Sequence, residues 1–198
     1  LLVTTDDNSG VINLGTLAVD GTVALATNRS GNATVVNDAG LQLAASTVGG
    51  NLAATAATGN MTDSGNLTVT GTSSFTTSAN NGTITLNNTN ALAGAVTITT
   101  NDDSGTDADV TLDNGTTALI LAASTIDGDL TLTSGNNITD NGTVTVGGNL
   151  LVTTDDNSGV INLGTLAVDG TVTLATNRSG NATVVNDAGL QLAASTVG

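Results

Sequence analysis

Residues 1–49 recur almost letter for letter at residues 150–198, and the one difference is Thr173 in place of Ala24. A chain that repeats its own text at an offset of 149 residues must build equivalent structure twice. Stacked repeat architectures do this, and folds arranged around one unique centre do not. The text between the copies is a diverged relative of the same material. Leu43–Thr47 (LAAST) returns as Leu121–Thr125 at an offset of 78, and Met61-Thr62-Asp63-Ser64-Gly65 returns as Ile138-Thr139-Asp140-Asn141-Gly142 at 77. The 149-residue unit therefore reads as two related halves.

A finer period lies beneath. Leu-x-Val-like openings at Leu17, Leu41, Leu67, Ala91, Leu119, Val144 and Leu166 are 22 to 28 residues apart, six intervals in 149 residues. Each interval holds three short alternating runs parted by Gly, Asn, Asp or Ser. Thr, Val and Ile favour strands, and the separators favour tight turns. No 3.6-residue period is present, so the reading is all-β. Three strands in about 25 residues specify a parallel β-helix, in which each strand pairs with its counterpart one coil later. Aligning the second strand of each coil gives an inward column Val23, Leu52, Ser73, Val96, Leu130, Leu150, Val172. A second column is Leu25, Ala54, Phe75, Ile98, Leu132, Val152, Leu174, and Ser73 is the only polar residue in the two. That alternation fits a dry interior. An antiparallel sandwich would not require residues 25 apart to match in type. The expectation is one continuous three-sided solenoid over residues 1–198, about eight coils and roughly 38 Å long at about 4.8 Å per coil, with six coils to the repeat. The chain opens on Leu1 and stops within a repeat, with no capping helix at either end. Further coils are expected beyond both termini.

Composition narrows the chemistry. The net charge is −15: all 17 acids are Asp, and Arg29 and Arg178 are the only basic side chains. Nucleic-acid binding is excluded, since it needs several Lys or Arg against phosphates. The chain has no Cys and no His, which removes disulfides, Cys or His metal sites and catalysis by either residue. No apolar run approaches the length of a membrane helix, so no membrane insertion of this segment is expected.

Four features invite a functional reading. The loop Asn101-Asp102-Asp103-Ser104-Gly105-Thr106-Asp107-Ala108-Asp109 offers Asp102, Asp103, Asp107 and Asp109 as a calcium site, since hard cations take carboxylate and carbonyl oxygens. It matches neither an EF-hand loop nor a calcium-binding β-roll nonapeptide, and a solvated acidic turn is the simpler account. No other cofactor is indicated. Asn37, Asp63, Asn87, Asp113, Asp140 and Asn186 fall at the corner after the third strand. Stacked acids serve polysaccharide-cleaving enzymes, but Lys, Trp and Tyr are all missing here. Asx side chains bonding turn backbones explain the positions without catalysis, so an enzyme is not expected. Arg29 and Arg178 fall 22 residues after Asp7 and Asp156, one coil on, as exposed charge relief. Outward threonines suggest an ice-binding face, but the column Ala24, Ala53, Ser74, Thr97, Thr131, Leu151, Thr173 is too irregular for a two-column lattice.

Runs such as Gly-Asn-Leu-x-Val-Thr, Ala-Gly-Leu-Gln-Leu-Ala-Ala-Ser and Asp-Ser-Gly-Asn-Leu-Thr-Val-Thr-Gly resemble the repeats of large bacterial surface exoproteins. These are the filamentous-haemagglutinin-like adhesins of two-partner secretion and the autotransporter-type giant repeat proteins. The resemblance spans the chain and rests on repeat grammar. It implies a right-handed parallel β-helix, export across a Gram-negative envelope to the extracellular cell surface, and a fibrous shaft used in adhesion or biofilm. The implied partners are neighbouring coils or identical chains in a filament, and host or matrix glycans and proteins. A calcium- or glycan-binding module is the alternative function, and an end-to-end polymerised filament or sheath is a further one.

Overall fold

The computed structural model describes residues 1–101, 107–156 and 158–198. Among these every regular element is a β-strand, and the pairings between strands are parallel. The described strands form two continuous sheets of 13 and 11 members in which strands pair with those of the coils before and after, which is a β-solenoid. The all-β, parallel, stacked expectation holds. The coil is shorter than the sequence spacing suggested. Val23 pairs with Leu43 and Leu43 with Asp63, 20 residues each; Met61 pairs with Ile84 after 23 and Leu86 with Leu112 after 26. The mean is roughly 21 residues over about nine turns, or about 43 Å of rod.

The shorter coil overturns the column assignment. Val23 does not lie under Leu52: it pairs with Leu43 in the larger sheet, whereas Leu52 pairs with Ala33 in the smaller one. Ser73, Val96, Phe75 and Ile98 do follow Leu52 and Ala54 in register, and Leu130, Leu150 and Val172 stack on the other face. The aligned columns thus joined segments of two faces. Both faces alternate in and out, so the apolar pattern survived the slip. The strands Leu2–Thr4, Thr22–Ala26, Leu41–Leu43, Met61–Asp63, Ile84–Leu86, Val110–Asp113, Leu130–Ser134 and Leu150–Thr154 are paired in that order. One 149-residue repeat therefore takes seven coils instead of six, about 34 Å of axial advance.

Inward residues alternate with half-exposed ones along the strands, as in Leu52–Ala56 and Ser73–Thr77. The core is one continuous cluster of Leu, Val, Ile and Ala with Phe75 and Met61, nearly all under 3 % exposed. Each Val or Leu so buried contributes about 1.5–3 kcal/mol. Stacking supplies that burial. Ala33–Asn37 and Ala182–Asn186 have the same sequence; the first, between Ile12–Leu17 and Leu52–Ala56, is buried at alternate positions, and the second, paired on one side, is only half-buried there.

The cross-section changes along the rod. Coils such as Leu41–Leu43, Ser46–Val48 and Leu52–Ala56 are three-sided, as expected, while Thr22–Ala26 with Ala33–Asn37 and Leu150–Thr154 with Ile161–Val168 make two-strand coils. The transition is built by the LAAST motif. Thr22–Ala26 faces both Leu41–Leu43 and Ser46–Val48, with Ala44 and Ala45 turning between them. The Leu25 N–H meets no backbone carbonyl at that bend; Ser46 Oγ accepts it at 3.0 Å and donates to Ala44 O at 2.8 Å. Ser124 repeats this for the Ile98 N–H at 3.0 Å, and Ser195 for Leu174 at 3.0 Å. The first and third LAAST motifs lie in the larger sheet and the second lies in the smaller.

Candidate functional site

The candidate calcium loop lies at the corner between Val96–Thr99 and Val110–Asp113. Asp102 and Asp103 are outside the described residues. Asp107 and Asp109 are exposed on either side of buried Ala108. With its amide oriented to satisfy both groups, Asn81 Nδ2 donates to the two Asp107 carboxylate oxygens at 2.8 and 3.1 Å. Asp109 Oδ1 accepts the Asp129 N–H at 2.8 Å, Asp129 Oδ1 accepts the Asn149 N–H at 2.6 Å, and Asn149 Oδ1 accepts the Thr171 N–H at 3.0 Å. Asp109 therefore begins a ladder in which each side chain ties down the corner of the next coil. Among the described residues no three acids converge as a metal site.

The Asx positions do not form one column. Asn37, Asp140 and Asn186 belong to strands of the smaller sheet, and Asp63 and Asp113 to strands of the larger. Their work is nevertheless turn bonding. Asn37 Oδ1 accepts the Val19 N–H at 2.9 Å, and its Nδ2 donates to Val19 O at 3.0 Å and Gly40 O at 2.7 Å. The side-chain amide thus pairs with a peptide as a neighbouring strand would. Asn186 repeats the clamp on Val168 and Gly189. Asp63 accepts from Asn87 N–H, Asn88 Nδ2 and Asn90 Nδ2, and Asp140 from the N–H groups of Gly164 and Thr165. Asn114 makes the same kind of clamp in the interior: it is fully buried and bonds Leu92, Thr117 and Ala118.

Arg29 and Arg178 sit in loops of one design. The 22-residue register brings these loops over those of Asp7 and Asp156. Asn28 Nδ2 donates to Asp6 O at 3.3 Å and Asn177 Nδ2 to Asp155 O at 2.6 Å. Each loop is closed by a buried threonine: Thr27 Oγ1 donates to Gly31 O at 2.7 Å and Thr176 Oγ1 to Gly180 O at 2.8 Å. Both arginines adopt left-handed backbone, φ 53° and 58°. A Cβ on Gly49, one coil above, would collide with the Arg29 carbonyl oxygen, so only glycine fits there.

Correct registers also redraw the outward threonines. Thr55, Thr76, Thr99, Thr125 and Thr145 follow one another in five successive coils of the smaller sheet, and Thr62, Thr85, Thr111 and Thr131 in four coils of the larger. The irregular column read from sequence mixed the two faces. At the β-bulges after Leu14 and Leu163, both copies carry the same shallow groove, lined by Gly15, Thr16, Leu17 and Val36 in one and by Gly164, Thr165, Leu166 and Val185 in the other.

With this geometry in place, comparison with known families shows that the family described as repeats of unknown function (DUF5649) matches residues 30–99 and 107–175, well over half of the chain. The chain belongs to that family. The two DUF5649 matches begin 77 residues apart, the offset that relates Met61-Thr62-Asp63 to Ile138-Thr139-Asp140. In the solenoid this unit is half of a seven-coil repeat, three and a half coils. Successive DUF5649 repeats therefore present equivalent motifs on opposite sheets, as the LAAST corners do. No curated protein and no solved structure matches the chain.

Proposed function

We propose that this DUF5649 chain is a segment of the structural shaft of an extracellular bacterial fibre or adhesin and that it has no catalytic role. The observation that carries the reading is the unbroken parallel ladder from Leu2–Thr4 to Gln191–Leu192, built from a repeat that can be multiplied without changing any interface. The polar side chains that resembled candidate catalytic groups bond corners, which favours a scaffold. The resemblance to filamentous-haemagglutinin-like repeats supports export, and two trypsin-sensitive residues in 198 suit a protease-rich exterior. Threonine ladders and the duplicated bulge groove offer surfaces that recur at the spacing of the repeat, so weak contacts along a long rod would sum by avidity.

The test is negative-stain microscopy and surface immunolabelling of cells producing the complete protein. Unbranched rods outside the cell, lengthening by about 34 Å for each added 149-residue repeat, are expected. Compact particles, or a label confined to the cell interior, would refute the reading.

A further inference from the structure

Asp127 is 5 % exposed, and its Oδ2 has no hydrogen-bond partner. It is unlike Asp63, whose burial is matched by Asn87, Asn88 and Asn90. Its corner, Asp127-Gly128-Asp129, is seated on both ends of the acidic loop one coil below. The Asp127 N–H donates to Thr100 Oγ1 at 2.9 Å, the Asp129 N–H to Asp109 Oδ1 at 2.8 Å, and the Val110 N–H to Asp129 O at 2.8 Å.

The chain contains its own comparison. The same corner recurs after the other two LAAST motifs, where the residue bonded to the threonine hydroxyl is glycine: Gly49 N–H donates to Thr27 Oγ1 at 2.9 Å and Gly198 N–H to Thr176 Oγ1 at 3.2 Å. The loops beneath those glycines carry Arg29 and Arg178. The loop beneath Asp127 has no base in its sequence, and its described part carries the exposed Asp107 and Asp109. At this corner alone, glycine has become a buried carboxylate while arginine has been exchanged for negative charge. A desolvated carboxylate oxygen with no donor is costly, more so among like charges, and a cation is what offsets it.

We propose that Asp127 Oδ2 ligates a hard divalent cation, Ca²⁺, at this corner. Calcium accepts carboxylate, carbonyl and water oxygens in flexible geometry. One buried carboxylate in the field of the exposed Asp107, Asp109 and Asp129 is a sparse anchor, and the affinity belongs to the weak class, on the order of 10⁻⁴–10⁻³ M. Asp127 was not among the acids that the sequence suggested, and the assignment does not depend on the shaft reading.

The experiment is calorimetric titration of the chelator-treated chain with CaCl2, alongside thermal melting, for the native sequence, Asp127→Gly and Asp127→Asn. The glycine variant restores the residue that the two equivalent corners already hold, and the asparagine variant keeps the size while removing the charge. One site per chain and a Tm raised by several degrees at saturating Ca²⁺ are expected for the native sequence. In both variants the affinity should fall at least tenfold and the shift should vanish, with circular dichroism unchanged. A native chain indifferent to Ca²⁺, or either folded variant keeping its full affinity, would overturn the assignment.

Discussion

Replacing Asn114 by Ala should open the rod locally at one known bond. Asn114 is fully buried. Its Oδ1 accepts the Leu92 N–H at 2.8 Å, and its Nδ2 donates to Leu92 O at 3.2 Å, Thr117 O at 3.1 Å and Ala118 O at 3.0 Å. Two amide hydrogens serve three carbonyls, so three full bonds are at stake, about 1 kcal/mol each. The Leu92 N–H would be left buried without an acceptor, which adds about 1–3 kcal/mol. Together these predict roughly 4–6 kcal/mol. A solenoid opens in parts, and one global unfolding energy is a poor measure of such a change. Amide hydrogen exchange is the suitable assay: Leu92 should exchange on the order of a hundredfold faster or more, with amides near Leu174 unaffected. Asn114→Asp keeps the acceptor but turns a carboxylate toward three carbonyls, and should be at least as damaging. Less than a tenfold change at Leu92 in the Ala variant would show that the clamp does not hold this corner.

Ser73 points its hydroxyl into the core without a partner, so Ser73→Ala should leave Tm unchanged or raise it, by up to about 1 kcal/mol of stability; a clear loss in thermal melting would show that the hydroxyl is satisfied. Gly49→Ala should disrupt the coil because of the collision with Arg29, whereas Gly21→Ala, whose new methyl group would meet nothing within 4 Å, should be close to neutral; equal melting temperatures for the two would contradict the packing of the corners. Of the Asn-Gly pairs, Asn114-Gly115 should deamidate more slowly than exposed Asn141-Gly142, because a held side-chain amide cannot swing onto the next peptide nitrogen. Peptide mapping for isoaspartate after mildly alkaline incubation checks this, and faster loss at Asn114 would count against its clamp.

Strand type, parallel stacking and the recurrence of LAAST could all be read from the residues, because alternation of apolar and polar side chains and glycine-bearing turns leave direct marks. Coil length could not. Every face of the rod alternates alike, so a spacing about four residues too long carries Val23 from the face of Leu43 onto that of Leu52 without spoiling the pattern. The irregular coil from Leu86 to Leu112, lengthened by the acidic loop, pulled the apparent spacing upward. Corner chemistry was legible only in kind. Asn37 and Asp140 could be expected to bond turns, and the sequence shows Asp127 standing where Gly49 and Gly198 follow the other LAAST motifs, but that its Oδ2 is buried without a partner is visible only in the fold. The role of Ser46 and Ser124 depends on which N–H a bend leaves without a carbonyl, and that is decided by the strand in the coil below.

The half-integral coil count bears on mechanics. Where one strand gives way to two, the extra strand joins the larger sheet at the first LAAST corner, the smaller at the second and the larger again at the third. Had the DUF5649 unit closed after a whole number of coils, every such corner would fall on one flank. Any tilt that these corners introduce should therefore alternate in direction, and a shaft of the kind proposed, built from many such units, is expected to run straight.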